Sequence, residues 1–279
     1  MSPSIPHQIS AAGYRFRHAP ELLSGTAAVA PAFGTALAAE LCETPVRVAV
    51  AEAAPIFDLE LAQFGAYRFD AASSRYAVLR EADSPQLTRE ALEGPVLLHA
   101  LAHHRVYVVH ASALKGEDGK ALLFCAPSGI GKSTFARVAQ ALGWQRLADD
   151  LLPLARTSDG GIQALPHLQQ PKLLSAEQYP ADAARALPLA AFIELRRGSV
   201  AGIRRLAGAE VLARVLRHSV ATRIYASACL AAHLDFCASC AAEAGWGLLR
   251  VAELTVAVRP DDIGGAVQEA LALLQSTLR

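Results

Sequence analysis

The chain has 279 residues, 53% of them hydrophobic and 19% charged, a balance that suits a buried core and excludes a disordered or low-complexity protein. Its 26 basic residues match 26 acidic ones, so there is no overall positive field to hold a polyanion, and nucleic acid is not an expected partner. No apolar run reaches the length of about 18 residues that a membrane span needs, the first residues lack the basic-then-apolar layout of a secretory signal, and the five cysteines read as scattered reduced thiols, so the expectation is a cytoplasmic protein with no membrane partner.

In chain order, short β-like runs come first, at residues 14–17, 46–50, 56–61, 67–70 and 75–80, the last two joined as a hairpin by the turn at 71–74. They predict a small, mostly antiparallel N-terminal β domain over residues 1–84, ended by the polar, proline-containing stretch 81–85. Residues 85–279 form the second predicted domain, of α/β class. A helix opens at Gly94 and Pro95 and runs through His104, with proline where its missing N–H costs nothing. Two strands, 105–114 and 120–125, follow across a glycine turn at 115–119. After them come a helix over 134–142 stopped by Gly143, and a buried strand run over 146–152 interrupted by two carboxylates. A connection rich in Pro, Gly, Gln and Ser spans 156–187 and includes the pieces 164–167 and 170–174. A strand at 190–195, Ala-rich helices at about 207–217 and 219–243, and a strand at 246–251 complete the core. The last helix begins at Pro260, with Ile263, Val267, Leu271 and Leu274 as its apolar stripe.

Residues 124–134 read Phe-Cys-Ala-Pro-Ser-Gly-Ile-Gly-Lys-Ser-Thr, between a predicted strand and a predicted helix. This is the phosphate-loop pattern G-x-x-x-x-G-K-[ST] with Ala126 in place of its first glycine. Gly129 and Gly131 let successive N–H groups curl into an anion nest, Lys132 reaches β and γ phosphates, and Ser133 ligates Mg²⁺. Ala126, Pro127, Ser128, Gly129, Ile130, Gly131, Lys132, Ser133 and Thr134 are therefore the expected nucleotide-binding residues. The chain contains no asparagine, which removes the Asn-Lys-x-Asp guanine-reading element and favours ATP as the cofactor, with Mg²⁺.

The interval from Lys132 to Asp149 holds one helix and one return strand, which brings Asp149 and Asp150 beside the loop. A strand-borne acid there binds Mg²⁺ or takes the proton of an attacking hydroxyl, and adjacent strand residues point to opposite faces, so the two acids are expected to do different work. His110 precedes them on the strand that leads toward the loop. The order His110, glycine turn, apolar strand, Ser-Gly-Ile-Gly-Lys-Ser over 128–133, helix, then Leu-Ala-Asp-Asp over 147–150 resembles the catalytic domain of bacterial HPr kinase/phosphorylase and its related proteins. The resemblance covers residues 106–154 most closely. It implies a P-loop, HPr-kinase-like catalytic core with Lys132 and Ser133 on phosphate and Mg²⁺, His110 beside the acids, and Asp149 with Asp150 as base and metal pair in either order. The glycine-rich signature that the family carries after its Asp-Asp strand has no counterpart between residues 188 and 203. The implied substrate is thus a serine of a peptide or small protein other than HPr, as in the smaller relatives of peptide natural-product clusters that modify lasso-peptide precursors.

Other polar clusters read as structural. Cys229, His233, Cys237 and Cys240 share one helix face, but Cys229 and Cys240 would lie about 16 Å apart along a straight helix, too far to share a metal. His99 and His103 sit on a helix with Leu97, Leu98 and Leu101. Arg196, Arg197, Arg204 and Arg205 read as solvated charges, any one of which is able to neutralise a transferring phosphoryl group. The expected activity is ATP- and Mg²⁺-dependent transfer of the γ-phosphoryl to a serine hydroxyl. A small-molecule or carboxykinase-like phosphotransferase, or a nucleotide-gated binding protein, are the alternatives on the same core, and self-association stays open.

Overall fold

The computed structural model describes residues 8–11, 14–18, 56–70, 75–92, 94, 97–165, 186–206, 209–220, 227–243, 245–252 and 264–278. They divide between two compact units, one within Met1–Tyr107 and Val220–Leu234, the other within Val108–Leu168, Ala176–Ser219 and Asp235–Arg279.

The first unit holds a five-stranded sheet of β1 (Gln8–Ala11), β2 (Tyr14–His18), β3 (Ile56–Glu60), β4 (Ala66–Asp70) and β5 (Arg75–Arg80), in the order β1-β2-β5-β4-β3. The β4–β5 hairpin pairs as the sequence anticipates, and among the described residues of this sheet the one parallel contact is β2 with β5. Tyr67 and Tyr76 are fully buried, and the Tyr67 hydroxyl donates to the Phe64 carbonyl at 2.7 Å, so a large ring is buried without orphaning its oxygen. The strand expected at 46–50 lies outside the described residues. Helix α1 (Pro85–Ala91) starts on Pro85, a helix that apolar periodicity did not signal, and α2 (Leu97–His103) follows, with Pro95 outside the described residues.

The second unit is a mixed α/β layer structure. Strand β6 (Val106–Lys115) pairs antiparallel with β7 (Ala121–Cys125) across a turn that Gly119 closes at φ +78°. β7, β11 (Leu187–Gly198) and β13 (Gly245–Ala252) run parallel. An unanticipated edge strand, β12 (Gly202–Arg205), pairs antiparallel with β13. β8 (Gln145–Ala148) lies antiparallel to β6 and completes a six-stranded sheet. β9 (Leu151–Arg156) and β10 (Ile162–Ala164) continue from it and join β11 as a small antiparallel sheet. The fragments 166–185, and with them Pro166, His167 and the piece 170–174, lie outside the described residues.

Four helices accompany these strands: α3 (Lys132–Ala141), α4 (Ala209–His218), α5 (Ser227–Glu243) and α6 (Gly264–Leu278). Ser219, the expected start of the second Ala-rich helix, instead forms a β-bridge with Val109, and the helix is described over Ser227–Glu243. The expected start of the last helix at Pro260 lies outside the described residues. α3 ends where Gly143 takes φ +95°, a left-handed stop that a residue with a Cβ resists. Side-chain period two sorts the sheet faces. Leu122, Phe124, Ala191, Ile193, Leu195, Leu249 and Val251 join one core cluster with Phe135 and Ala139 of α3 and Val267, Leu271 and Leu274 of α6. Glu194, between Ile193 and Leu195, therefore points to the opposite face, where Arg214 of α4 meets it.

Phe135 is fully buried with its ring centroid 4.9 Å from that of Phe124. Phe135→Ala removes that ring from the seam between α3 and the sheet, and the unfolding free energy is expected to fall by about 3–5 kcal/mol in urea denaturation. A loss below about 1 kcal/mol would mean that α3 is not held by this core.

Candidate functional site

β8 and β9 follow one line along β6 and are interrupted only at Asp149 and Asp150. Ala148 pairs with Ala113, and after the interruption the Ala111 N–H donates to the Asp150 carbonyl at 3.0 Å. Between them Asp150 takes φ +90°, left-handed backbone that costs a residue with a Cβ and is best tolerated by Asp and Asn. The kink changes where the acids point. The Ser112 hydroxyl donates to Asp149 Oδ1 at 2.6 Å, and His110 Nε2 lies 2.8 Å from Asp150 Oδ1. His110 and Ser112 are two residues apart on β6 and share a face. Both acids thus reach the same face, which corrects the expectation of opposite ones. Ser112 stands opposite Phe124, so this is the face that carries α3. The two acids still differ: Asp149 is buried, with Arg146 Nη1 3.8 Å away, whereas the side chains of Asp150 and His110 are each 38% exposed.

The glycine loop leaves β7 at the same sheet edge. Ala126 is buried, Pro127 and Ile130 are half-buried, and Ser128 and Gly129 are exposed. Gly129 has φ +80° and Gly131 φ +109°. A Cβ on Gly129 would meet nothing within 4 Å, so the glycine there serves backbone conformation and not space. Gly131 is the N-cap of α3 and offers no side-chain cap. The Phe135 N–H bonds the Gly131 carbonyl, which leaves the first-turn N–H groups of Lys132, Ser133 and Thr134 without partners inside the helix. Ser133 is exposed and Thr134 buried. Lys132 is 7% exposed, and its Nζ donates to the Ala126 carbonyl at 3.3 Å. Burial holds its ammonium below the ordinary lysine range, against the opposing fields of Cys125, Asp150 and Asp149. One electrostatic environment therefore includes the loop lysine and both acids. Of the arginines left open by the sequence, Arg197 is the one on the loop, with Nη2 donating to the Gly129 carbonyl at 2.6 Å.

Four polar residues in this region were not singled out from the sequence. Ser112 sits in an apolar strand two places from His110, and that spacing is a readable signal. Glu194 stands level with Cys125 in the parallel register, and its side chain has no exposed surface. Arg196 Nη2 binds Glu194 Oε1 at 2.5 Å, and Arg214 Nε binds Oε2. A lone carboxylate inside an apolar strand demands such partners, because an unpaired buried charge is prohibitively costly. Nothing in the sequence pattern identifies Arg214 as one of them. His218 closes α4 and is 5% exposed, and burial pushes its imidazole down to about 4. Burial pushes the Cys125 thiol up to about 12, so it is an inert core group beneath the loop.

No group of three or more His, Cys, Asp or Glu able to hold a metal occurs among the described residues. Cys237 and Cys240 are buried, and His233 is buried with its ring 5.0 Å from that of Tyr107. The side chains of Cys229, His99 and His103 lie outside the description. Arg204 forks onto Glu210 with two 3.0 Å bonds. Among the described residues no helix is long and apolar enough to cross a membrane.

A family model described as SynChlorMet cassette protein ScmC matches residues 87–248, more than half of the chain. No curated protein matches it. Among solved structures, the Hpr(Ser) kinase/phosphatase from Coxiella burnetii is similar at 12% identity, with 60% of this chain and 98% of that chain covered and a TM-score of 0.31.

Glu194→Ala removes the buried partner of Arg214 and Arg196 and leaves Arg214 only the more distant Glu210 carboxylate at 3.8 Å. A stability loss of about 3–5 kcal/mol is expected in chemical denaturation, well above that of Arg196→Ala, whose side chain is 36% exposed. Equal, small losses in the two variants would remove Glu194 from the role of buried anchor.

Proposed function

The chain belongs to the SynChlorMet cassette protein ScmC family, and from its site we propose that it is an ATP- and Mg²⁺-dependent P-loop phosphotransferase acting on a serine hydroxyl of a peptide or small protein. One observation carries the reading: Asp149 and Asp150 reach the same sheet face as α3, whose first residue is the buried Lys132 of the glycine loop. The left-handed glycines and the uncapped helix start fit a polyphosphate, which needs converging N–H donors and no intruding side chain. The donors also fit Mg²⁺, which takes one or two carboxylates together with phosphate oxygens and water and needs no all-protein cage.

In this reading the loop N–H groups and Lys132 hold the β and γ phosphates, and Arg197 braces the loop through the Gly129 carbonyl. Ser133 and Asp149 would hold the Mg²⁺. When bound, Mg²⁺ neutralises charge on the phosphate oxygens. Asp150, the more exposed acid, receives the serine proton as the serine Oγ–P bond forms and the bond to the ADP oxygen breaks. His110 on its Oδ1 orients it. ADP, phosphoserine and one proton are the products, and catalysis is placement plus charge neutralisation.

Incubation with γ-labelled ATP, Mg²⁺ and separate serine-peptide and metabolite pools tests this. Label is expected in the peptide pool and lost on chelation of Mg²⁺. Lys132→Ala, and Asp150→Asn, are expected to lower transfer by at least about 10²-fold with unchanged far-ultraviolet dichroism. Uptake into the metabolite pool instead would move the acceptor to a small molecule. Full transfer by the folded Lys132→Ala protein would refute the mechanism.

A further inference from the structure

His218 is the last residue of α4, and the next residue, Ser219, bridges Val109, the strand neighbour of His110. The pairing of β6 with β7 ends at Ala111 opposite Cys125, where the chain turns into the glycine loop. The end of α4 thus meets β6 just beyond the point at which the loop departs. The helix is fixed there from a second side, because Arg214, one turn earlier, is held by the buried Glu194. In this clamped position His218 is 5% exposed, and its Nε2 is buried with no hydrogen-bond partner among the described residues. A buried imidazole nitrogen left unpaired costs stability and is retained where something else fills the place.

The surrounding charges say what kind of group that is. Glu194 acts on His218 as an anion, whereas Lys132, Arg217 and His110 act in the cationic sense. Glu194 is the strongest of these charges but is itself held by Arg196 and Arg214, so the cations left to act on an incoming group suit an acceptor oxygen. With the imidazole neutral, Nε2 supplies one N–H donor in the tautomer that such an oxygen selects.

We propose that His218 Nε2 donates a hydrogen bond to an anionic oxygen of the terminal phosphoryl group of the nucleotide held by the glycine loop. This makes His218 a residue that distinguishes a triphosphate from a diphosphate, and it rests on the nucleotide reading given above. A donor on the terminal phosphoryl adds to the charge neutralisation that phosphoryl transfer requires, and it is lost when the product diphosphate remains.

The test uses the full chain with ¹⁵N-labelled histidine. The His218 side-chain resonances are followed on addition of Mg²⁺ with a non-hydrolysable ATP analogue, with ADP, or with inorganic phosphate alone. The triphosphate analogue is expected to shift Nε2 and protect its proton from exchange, and ADP to leave both unchanged. In parallel, His218→Ala is expected to weaken the analogue about 10-fold and ADP less than 2-fold, and His218→Gln, whose amide also donates, to recover part of the loss. Equal weakening of both nucleotides, or an Nε2 signal that stays fixed while the analogue binds, overturns the proposal. So does a response to inorganic phosphate with none to the analogue. If the analogue binds wild type and is weakened by Lys132→Ala while Nε2 stays fixed, only this inference fails. If the analogue does not bind at all, the nucleotide reading fails and takes this one with it. The wild-type spectra decide the matter even if His218→Ala does not fold.

Discussion

A single backbone kink at Asp150 governs the arrangement of this site. Without it, β8 and β9 would be one straight strand against β6, and successive carboxylates would face opposite sides of the sheet. The left-handed residue rotates the chain so that Asp149 meets Ser112 while Asp150 meets His110, two groups on one face of the same strand. The cost of the positive φ is offset by these partners and by the Ala111–Asp150 backbone bond that re-establishes pairing beyond it. Strain of this kind persists only where the surroundings over-determine it, and here the hydrogen bonds on both sides of the break do so.

The buried acid on the other face follows the same logic with charges in place of backbone. Glu194 is level with the last residue before the glycine loop, and removal from water obliges it to be paired. Its two arginines come from different places, Arg196 from its own strand and Arg214 from α4. The ion pair therefore fixes the rotation of a helix against the sheet at the level of the loop. Arg197, one residue beyond Arg196, points to the loop carbonyl of Gly129, as alternation along an extended strand allows. A short stretch of β11 thus anchors both a helix and the loop.

Much of this was legible in the residues. The glycine loop between an apolar run and a helix is a local pattern, and local backbone demands fix it: left-handed Gly129 and Gly131, a helix start at Lys132, a left-handed stop at Gly143. The β4–β5 hairpin and the β6–β7 hairpin follow from turn chemistry between alternating runs. Edge strand β12 escaped notice because four residues ending in two arginines carry little apolar signal, and its pairing with β13 is set by a distant segment. Alanine-rich sequence favours helix on both sides of Ser219, whereas the bridge to Val109 takes that residue out of a helix.

By itself the sequence determined the identity and spacing of the chemically capable groups, because a phosphate-loop pattern and an acid pair separated by one helix and one strand are properties of consecutive residues. Tertiary structure alone decided their orientation and their company. Which face Asp149 and Asp150 share, that Ser112 holds one and His110 the other, and that Arg214 and not Arg204 reaches Glu194 all depend on register between segments far apart in the chain. Register is fixed by the whole core at once, through which side chains must leave water together, and no window of neighbouring residues contains that information.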